Sequence, residues 1–155
     1  MRGRSRHNGA MRRRIPPNTS VDDLEQTFYE ALQRADLEAL MACWADEDEP
    51  VCVHPGGPRL VGAMAIRESF ARLFEAGAVR AVPTHVKQTM VGQCCVHSLV
   101  ERVEVPAHDG VTHAYVTATN VYVKTAQGWR LLVHHASPGT LSAPLDQSAA
   151  AATLH

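Results

Sequence analysis

Between Leu24 and Ala35 the apolar residues Leu24, Phe28, Ala31, Leu32 and Ala35 recur at helical spacing and share one face. Ser20, with Asp23 three residues on, supplies a capping-box-like start, so a first helix is expected from Val21 to Arg34. Asp36 can cap a second helix over DLEALMACWAD, with Leu37, Leu40, Met41 and Trp44 on one side, until the acidic run Asp46 to Glu49 and Pro50 stop it. VCVH then reads as a short strand, PGGP as a tight turn and Arg59-Leu60-Val61 as the returning strand. A third helix is expected over AMAIRESFARLFEAG, with Met64, Ile66, Phe70, Leu73 and Phe74 as its apolar stripe and Gly77 as its stop.

Beyond Gly77 the period changes from helical to alternating. VRAVPTHVKQTMVG, CCVHSLVERVEVP, THAYVTATNVYVK and GWRLLVHH are four β-rich runs parted by Gly-Gln, HDG and TAQG. The order α-α-β-β-α-β-β-β-β predicts an α+β domain, with helices over one face of a curved, mostly antiparallel sheet. The expected division is a basic tail over 1–19, one domain over 20–138 and a flexible C-terminal tail over 139–155.

Composition narrows the function classes. A chain of 155 residues that is 45% hydrophobic has enough apolar material for one core. Its formal charge of -1 hides an asymmetry: six of the fifteen Lys and Arg fall in the first fourteen residues, leaving nine against sixteen acids, a net of -7 from Ile15 on. An acidic body argues against nucleic acid as a partner. The arginine-rich head lacks the apolar stretch of a secretory signal, and no run reaches the roughly 20 apolar residues of a membrane span, so no membrane partner is expected and a cytoplasmic location is. Met11 offers an alternative start. Cys43, Cys52, Cys94 and Cys95 show no CxxC spacing and are expected to be reduced and mostly buried.

The opening ALQRADLEALMACWADEDEPVCVHPGGPRLVGAMAIRESF and the closing TNVYVKTAQGWRLLVHHAS resemble the nuclear transport factor 2-like superfamily, in its SnoaL-like and ketosteroid-isomerase-like branch. The resemblance runs from Val21 to Ser137. It implies a cone-shaped, cystatin-like fold, a curved mixed sheet with three N-terminal helices, and a cone that holds a small apolar organic ligand. It also implies acid/base chemistry without a cofactor, such as isomerisation, dehydration or cyclisation of a cyclic or polyketide-like substrate. The alternative is a non-catalytic binding or dimerisation module of the same fold.

In ketosteroid isomerases the strand after the second helix ends in Asp-Pro, whose aspartate is the base, and the matching pair here is His54-Pro55. Imidazole suits that role near pH 7, although a histidine before Gly56 and Gly57 can equally serve to cap a turn. The family's oxyanion-hole tyrosine aligns with Phe28, which donates no hydrogen bond, and the partner acid falls near Thr119 or Asn120. Strand parity decides between these two: with Val121 inward Thr119 faces the cone, and with the reverse parity Asn120 and Tyr122 line it. Trp44 falls where the fold borders its pocket. Tyr29 is expected at the helix edge.

His134 and His135 fall on opposite faces, and the phase of Trp129, Leu131 and Val133 puts His135 on the apolar side. The family's ending, histidine two residues before serine, also matches His135 and Ser137. The catalytic candidates are thus His54, Asn120 and His135, and the ligand-binding ones Phe28, Trp44, Thr119 and Tyr122. No HxH or HExxH spacing supports a metal. The last strands carry more apolar residues than one helical layer can cover, which predicts a homodimer.

Overall fold

The computed structural model describes residues 15–148; the arginine-rich head and the last seven residues lie outside the described residues. Helix α1 spans Val21–Arg34, with the Asp23 amide donating to Ser20 Oγ at 3.1 Å, and it ends at Ala35, whose φ of 52° is left-handed. Leu24, Phe28, Ala31 and Leu32 are buried, as the spacing requires.

Helix α2 is shorter than its sequence pattern, spanning Leu37–Ala42, with its first turn capped by Asp36 Oδ1 on the Ala39 amide at 3.1 Å. Tertiary pairing overrides the helical period at its end. The Leu131 amide donates to Cys43 O and the Ala45 amide to Leu131 O, each at 2.8 Å, which ends the helix at Cys43 and sets Trp44 in a parallel bridge with Leu131. Trp44 therefore leaves the helix face and sinks into the core edge-on to Phe28, with ring centroids 6.1 Å apart.

Strands β1 (Val51–Val53) and β2 (Arg59–Val61) form a short hairpin, and helix α3 (Ala63–Glu75) comes next. The remaining strands are β3 (Ala81–Val91), β4 (Cys94–Ala107), β5 (Gly110–Thr125) and β6 (Gly128–Ala136). One mixed sheet has the order β2-β1-β6-β5-β4-β3, antiparallel throughout except where β1 runs parallel to β6. This is the curved, mostly antiparallel α+β architecture with three helices that the sequence predicts.

One face of the sheet carries the core: Cys95, His97, Leu99 and Glu101 from β4, Val116, Ala118, Asn120 and Tyr122 from β5, and Leu131, His134 and Ala136 from β6. On β6 the buried residues Leu131 and His134 are three apart rather than two or four. A bulge explains it: Tyr122 pairs with Leu131 and Val121 with Val133, so Leu132 is an extra residue and the strand's parity inverts there.

The chain ends of the domain are also tied to the sheet. Gly128 takes a φ of 111°, and a Cβ there would lie 2.5 Å from Pro17 O, so the segment before α1 packs on the β5–β6 turn. Thr140 exchanges backbone hydrogen bonds with Tyr115 at 2.9 and 2.8 Å, which carries ordered pairing past Ser137. Among the described residues no helix is long and apolar enough to cross a membrane.

Candidate functional site

A cavity of about 380 Å³ opens between α1, α3 and the strands β4 to β6. Its walls are apolar, with Leu32, Phe70, Leu73, Val79, Val103 and Val116 among them, and its polar side chains are His54, Glu101 and His134. Gly139 closes part of it. A second hollow of about 760 Å³, between Ile15–Pro17, Met41, Trp44 and Arg130, contains none of these three groups.

His54 stands directly after β1, and its Nε2 lies 2.9 Å from Ser69 Oγ on α3, with the ring edge-on to Phe70 at 4.8 Å between centroids. Burial, with a smaller contribution from His134, lowers its pKa below the usual histidine value. The backbone carbonyl of the same residue accepts from the Gly57 amide at 2.8 Å. The turn contact is thus made by the His54 backbone rather than by its ring, which bonds Ser69 and borders the cavity.

Glu101 is the carboxyl of the cavity. Burial raises its pKa from 4.5 to about 7; the hydrogen bond donated by Tyr29 Oη at 2.7 Å opposes this and the charge of Glu25 adds to it. His134 is pushed the other way, from 6.5 to about 4, by burial and then by His135, with Glu25 opposing. Near neutral pH the cavity therefore presents a carboxyl close to its midpoint and neutral imidazoles. His134 Nε2 stands 3.8 Å from Glu101 Oε2.

Behind these groups lies a buried polar cluster that residue spacing alone does not assemble. Glu25 Oε2 lies 2.6 Å from Tyr122 Oη, 2.8 Å from His97 Nδ1 and 3.2 Å from Asn120 Nδ2. Asn120 Nδ2 also donates to Tyr29 Oη at 3.1 Å, and Asn120 Oδ1 lies 2.6 Å from His134 Nδ1. Burial raises both tyrosine hydroxyls well above their ordinary pKa, with Glu101 next for Tyr29 and Glu25 next for Tyr122. The cluster reaches the surface through His97, whose Nε2 lies 2.8 Å from Gln88 Oε1.

The residues anticipated from sequence divide between the two faces of the sheet. Asn120 and Tyr122 face inward but lie behind the cavity rather than among the residues that line it, and Thr119 lies on the outer face beside its register partner His135. The expected inward placement of His135 is overturned, because the bulge at Leu132 turns His134 in and leaves His135 exposed. Tyr29, expected at the helix edge, is 1% exposed. Phe28 lies beneath His134, 5.5 Å between centroids, and Trp44 lies beyond it. Neither is among the side chains that line the cavity.

Three of the site residues missed from the sequence carried a signal. Glu101 stands in strict alternation with Cys95, His97, Leu99 and Val103, so an acid occupied an inward slot of an apolar strand. Glu25 and Tyr29 are one helical turn apart beside Leu24, Phe28 and Leu32. His134 carried none, since nothing local marks Leu132 as the extra residue. Among the described residues no group of three or more His, Cys, Asp or Glu is placed to hold a metal ion.

The same fold and much of this chain's pattern recur in known proteins. Residues 21–140 match the family described as SnoaL-like domain. A solved structure from Streptomyces avermitilis, a provisional dehydratase of the nuclear transport factor 2-like family, is 30% identical, with a TM-score of 0.67 over 77% of this chain and 93% of that one. A provisional calcium/calmodulin-dependent protein kinase type II association domain from Thiobacillus denitrificans is 29% identical, with a TM-score of 0.70 over 81% and 97%. A protein from Novosphingobium aromaticivorans with a cystatin-like fold, 21% identical, has a TM-score of 0.61 over 84% and 83%. No curated protein matches the chain.

Proposed function

The chain belongs to the SnoaL-like domain family, and on that footing we propose that its cavity binds a small, largely apolar organic molecule and catalyses a cofactor-independent acid/base step on it, an isomerisation, dehydration or cyclisation. The observation that carries the proposal is the Glu101 carboxyl, held at about 7 inside an apolar cavity beside two imidazoles lowered from their ordinary value. A carboxyl at that midpoint gives up or accepts a proton at little cost near pH 7, and a neutral imidazole is ready to accept one. Glu101 is the proton donor to a substrate oxygen, and His54 takes a proton from the far end of the substrate. Asn120, Tyr29 and Tyr122 hold the donor side in place from behind.

The test is turnover of a panel of small cyclic hydroxyketones and polyketide-like aromatics, with analysis of the products. The expected result is one class converted by the native protein, with kcat lowered about 100-fold or more in Glu101→Gln. A converted substrate whose rate is indifferent to Glu101→Gln and His54→Gln would remove the proposal.

A second reading rests on a separate observation. Val96, Val121 and Val133 form an apolar row across β4, β5 and β6 on the outer face, each half-buried, and the Thiobacillus denitrificans relative is named for association. This supports a homodimer formed through the outer face, a role compatible with the cavity's chemistry.

A further inference from the structure

The hydrogen bonds behind the cavity determine which way its imidazole faces. Asn120 Nδ2 lies against Glu25 Oε2 and Tyr29 Oη. Rotating the amide would set Asn120 Oδ1 against a Glu25 oxygen that already takes Tyr122 and His97 at 2.6 and 2.8 Å, one acceptor facing another. The amide therefore keeps Oδ1 toward His134, and the 2.6 Å contact requires the proton on His134 Nδ1. His134 Nε2, 3.8 Å from Glu101 Oε2, is left unprotonated with a free lone pair.

The 3.8 Å between that nitrogen and Glu101 Oε2 is too long for a hydrogen bond, and both groups line the cavity, so a ligand oxygen about 2.8 Å from each would bridge them. No lysine or arginine among the described residues lines the cavity. We propose that Glu101 and His134 form a subsite for the hydroxyl group of an uncharged ligand, with the hydroxyl donating to His134 Nε2 and its oxygen against the Glu101 carboxyl, and that Glu25 is the positioning residue that fixes this polarity through Asn120.

This deepens the acid/base reading and rests on it for the identity of the cavity as the site. The subsite selects alcohols over ketones, which have no proton for Nε2, and over carboxylates, which meet a carboxyl without a counter-charge. An alcohol held there has its oxygen against the group proposed to protonate it.

The experiment uses four matched probes, indanol, indanone, indane carboxylate and indane, titrated by calorimetry into the full chain. Ring-nitrogen NMR on ¹⁵N-histidine protein is recorded alongside. Indanol is expected to bind about tenfold tighter than indanone or indane, a difference of about 1.4 kcal/mol for one added hydrogen bond, and the carboxylate not measurably. The ligand-free His134 ring should show Nδ1 protonated and Nε2 bare, and the Nε2 resonance should move when indanol binds.

Glu25→Gln should mix the two ring tautomers of His134 and erase the preference for indanol while leaving indane affinity in place, a result that loss of packing alone would not give. Equal binding of indanol and indanone, binding of none of the four, or a proton on His134 Nε2 in the native protein each overturns the proposal. An alcohol preference without turnover of any hydroxylated substrate leaves the subsite standing and counts against the catalytic reading alone.

Discussion

Glu101 and His134 depart from their ordinary pKa values in opposite directions, and their effects on stability have opposite signs. Glu101 titrates at about 7 in the fold against 4.5 for an ordinary side chain, so between these values the unfolded chain has released a proton that the folded one retains. Stability on this account falls as pH rises from about 4.5 to 7, by about 3 kcal/mol in full. His134 titrates at about 4 against 6.5, so there the unfolded chain binds the extra proton and stability rises with pH between those values. The two slopes offset each other in the native protein. Glu101→Gln should therefore expose a rise in unfolding free energy across about pH 4 to 6.5, read by urea denaturation at several pH values. A curve of unchanged shape would contradict the burial of this charge.

The same two residues show what the sequence could and could not reveal at this scale. Glu101 was readable, as an acid in phase with Cys95, Leu99 and Val103. His134 was not, because one inserted residue reverses the parity of everything after it and leaves no compositional trace.

At the scale of the element, helix α1 carries two kinds of cargo on adjacent stripes: Leu24, Phe28 and Leu32 for the core, and Glu25 and Tyr29 for the polar cluster. Its rotation must therefore be fixed closely, and its first turn is held by Ser20. Ser20→Ala is expected to lower stability by about 1 kcal/mol, measured as a shift in the denaturation midpoint with unchanged slope. Helix α1 was legible from end to end because capping residue and apolar period agree. Helix α2 was legible only to Ala42, since the pairing of Cys43 and Ala45 with Leu131 depends on a strand far along the chain.

The whole molecule was legible in its order of elements, because the change from a helical to an alternating period at Gly77 is abrupt and three hairpin turns separate the long strands beyond it. How the sheet is assembled was not legible, since the three-residue β1 is too short to announce that, besides its hairpin with β2, it runs parallel with β6. At this scale the prediction concerns the outer face. Val121→Lys places a charge at the centre of the Val96, Val121 and Val133 row. If two copies meet there, light scattering at micromolar concentration should show a dimer for the native chain and a monomer for the variant, with thermal stability otherwise preserved. A native monomer would refute the association.

The parallel pairing of β1 with β6 has a kinetic consequence. Cys52 lies opposite His134, so the two histidines of the cavity belong to segments that meet only after a loop of about eighty residues has closed. The β3–β4–β5 meander is made of neighbours and can form early, whereas the junction that completes the cavity has three residue pairs and much chain entropy against it. In native-state hydrogen exchange the β1 amides should open well before those of β4 and β5. The pocket would then be the last part of the protein to be made on folding and the first to come apart.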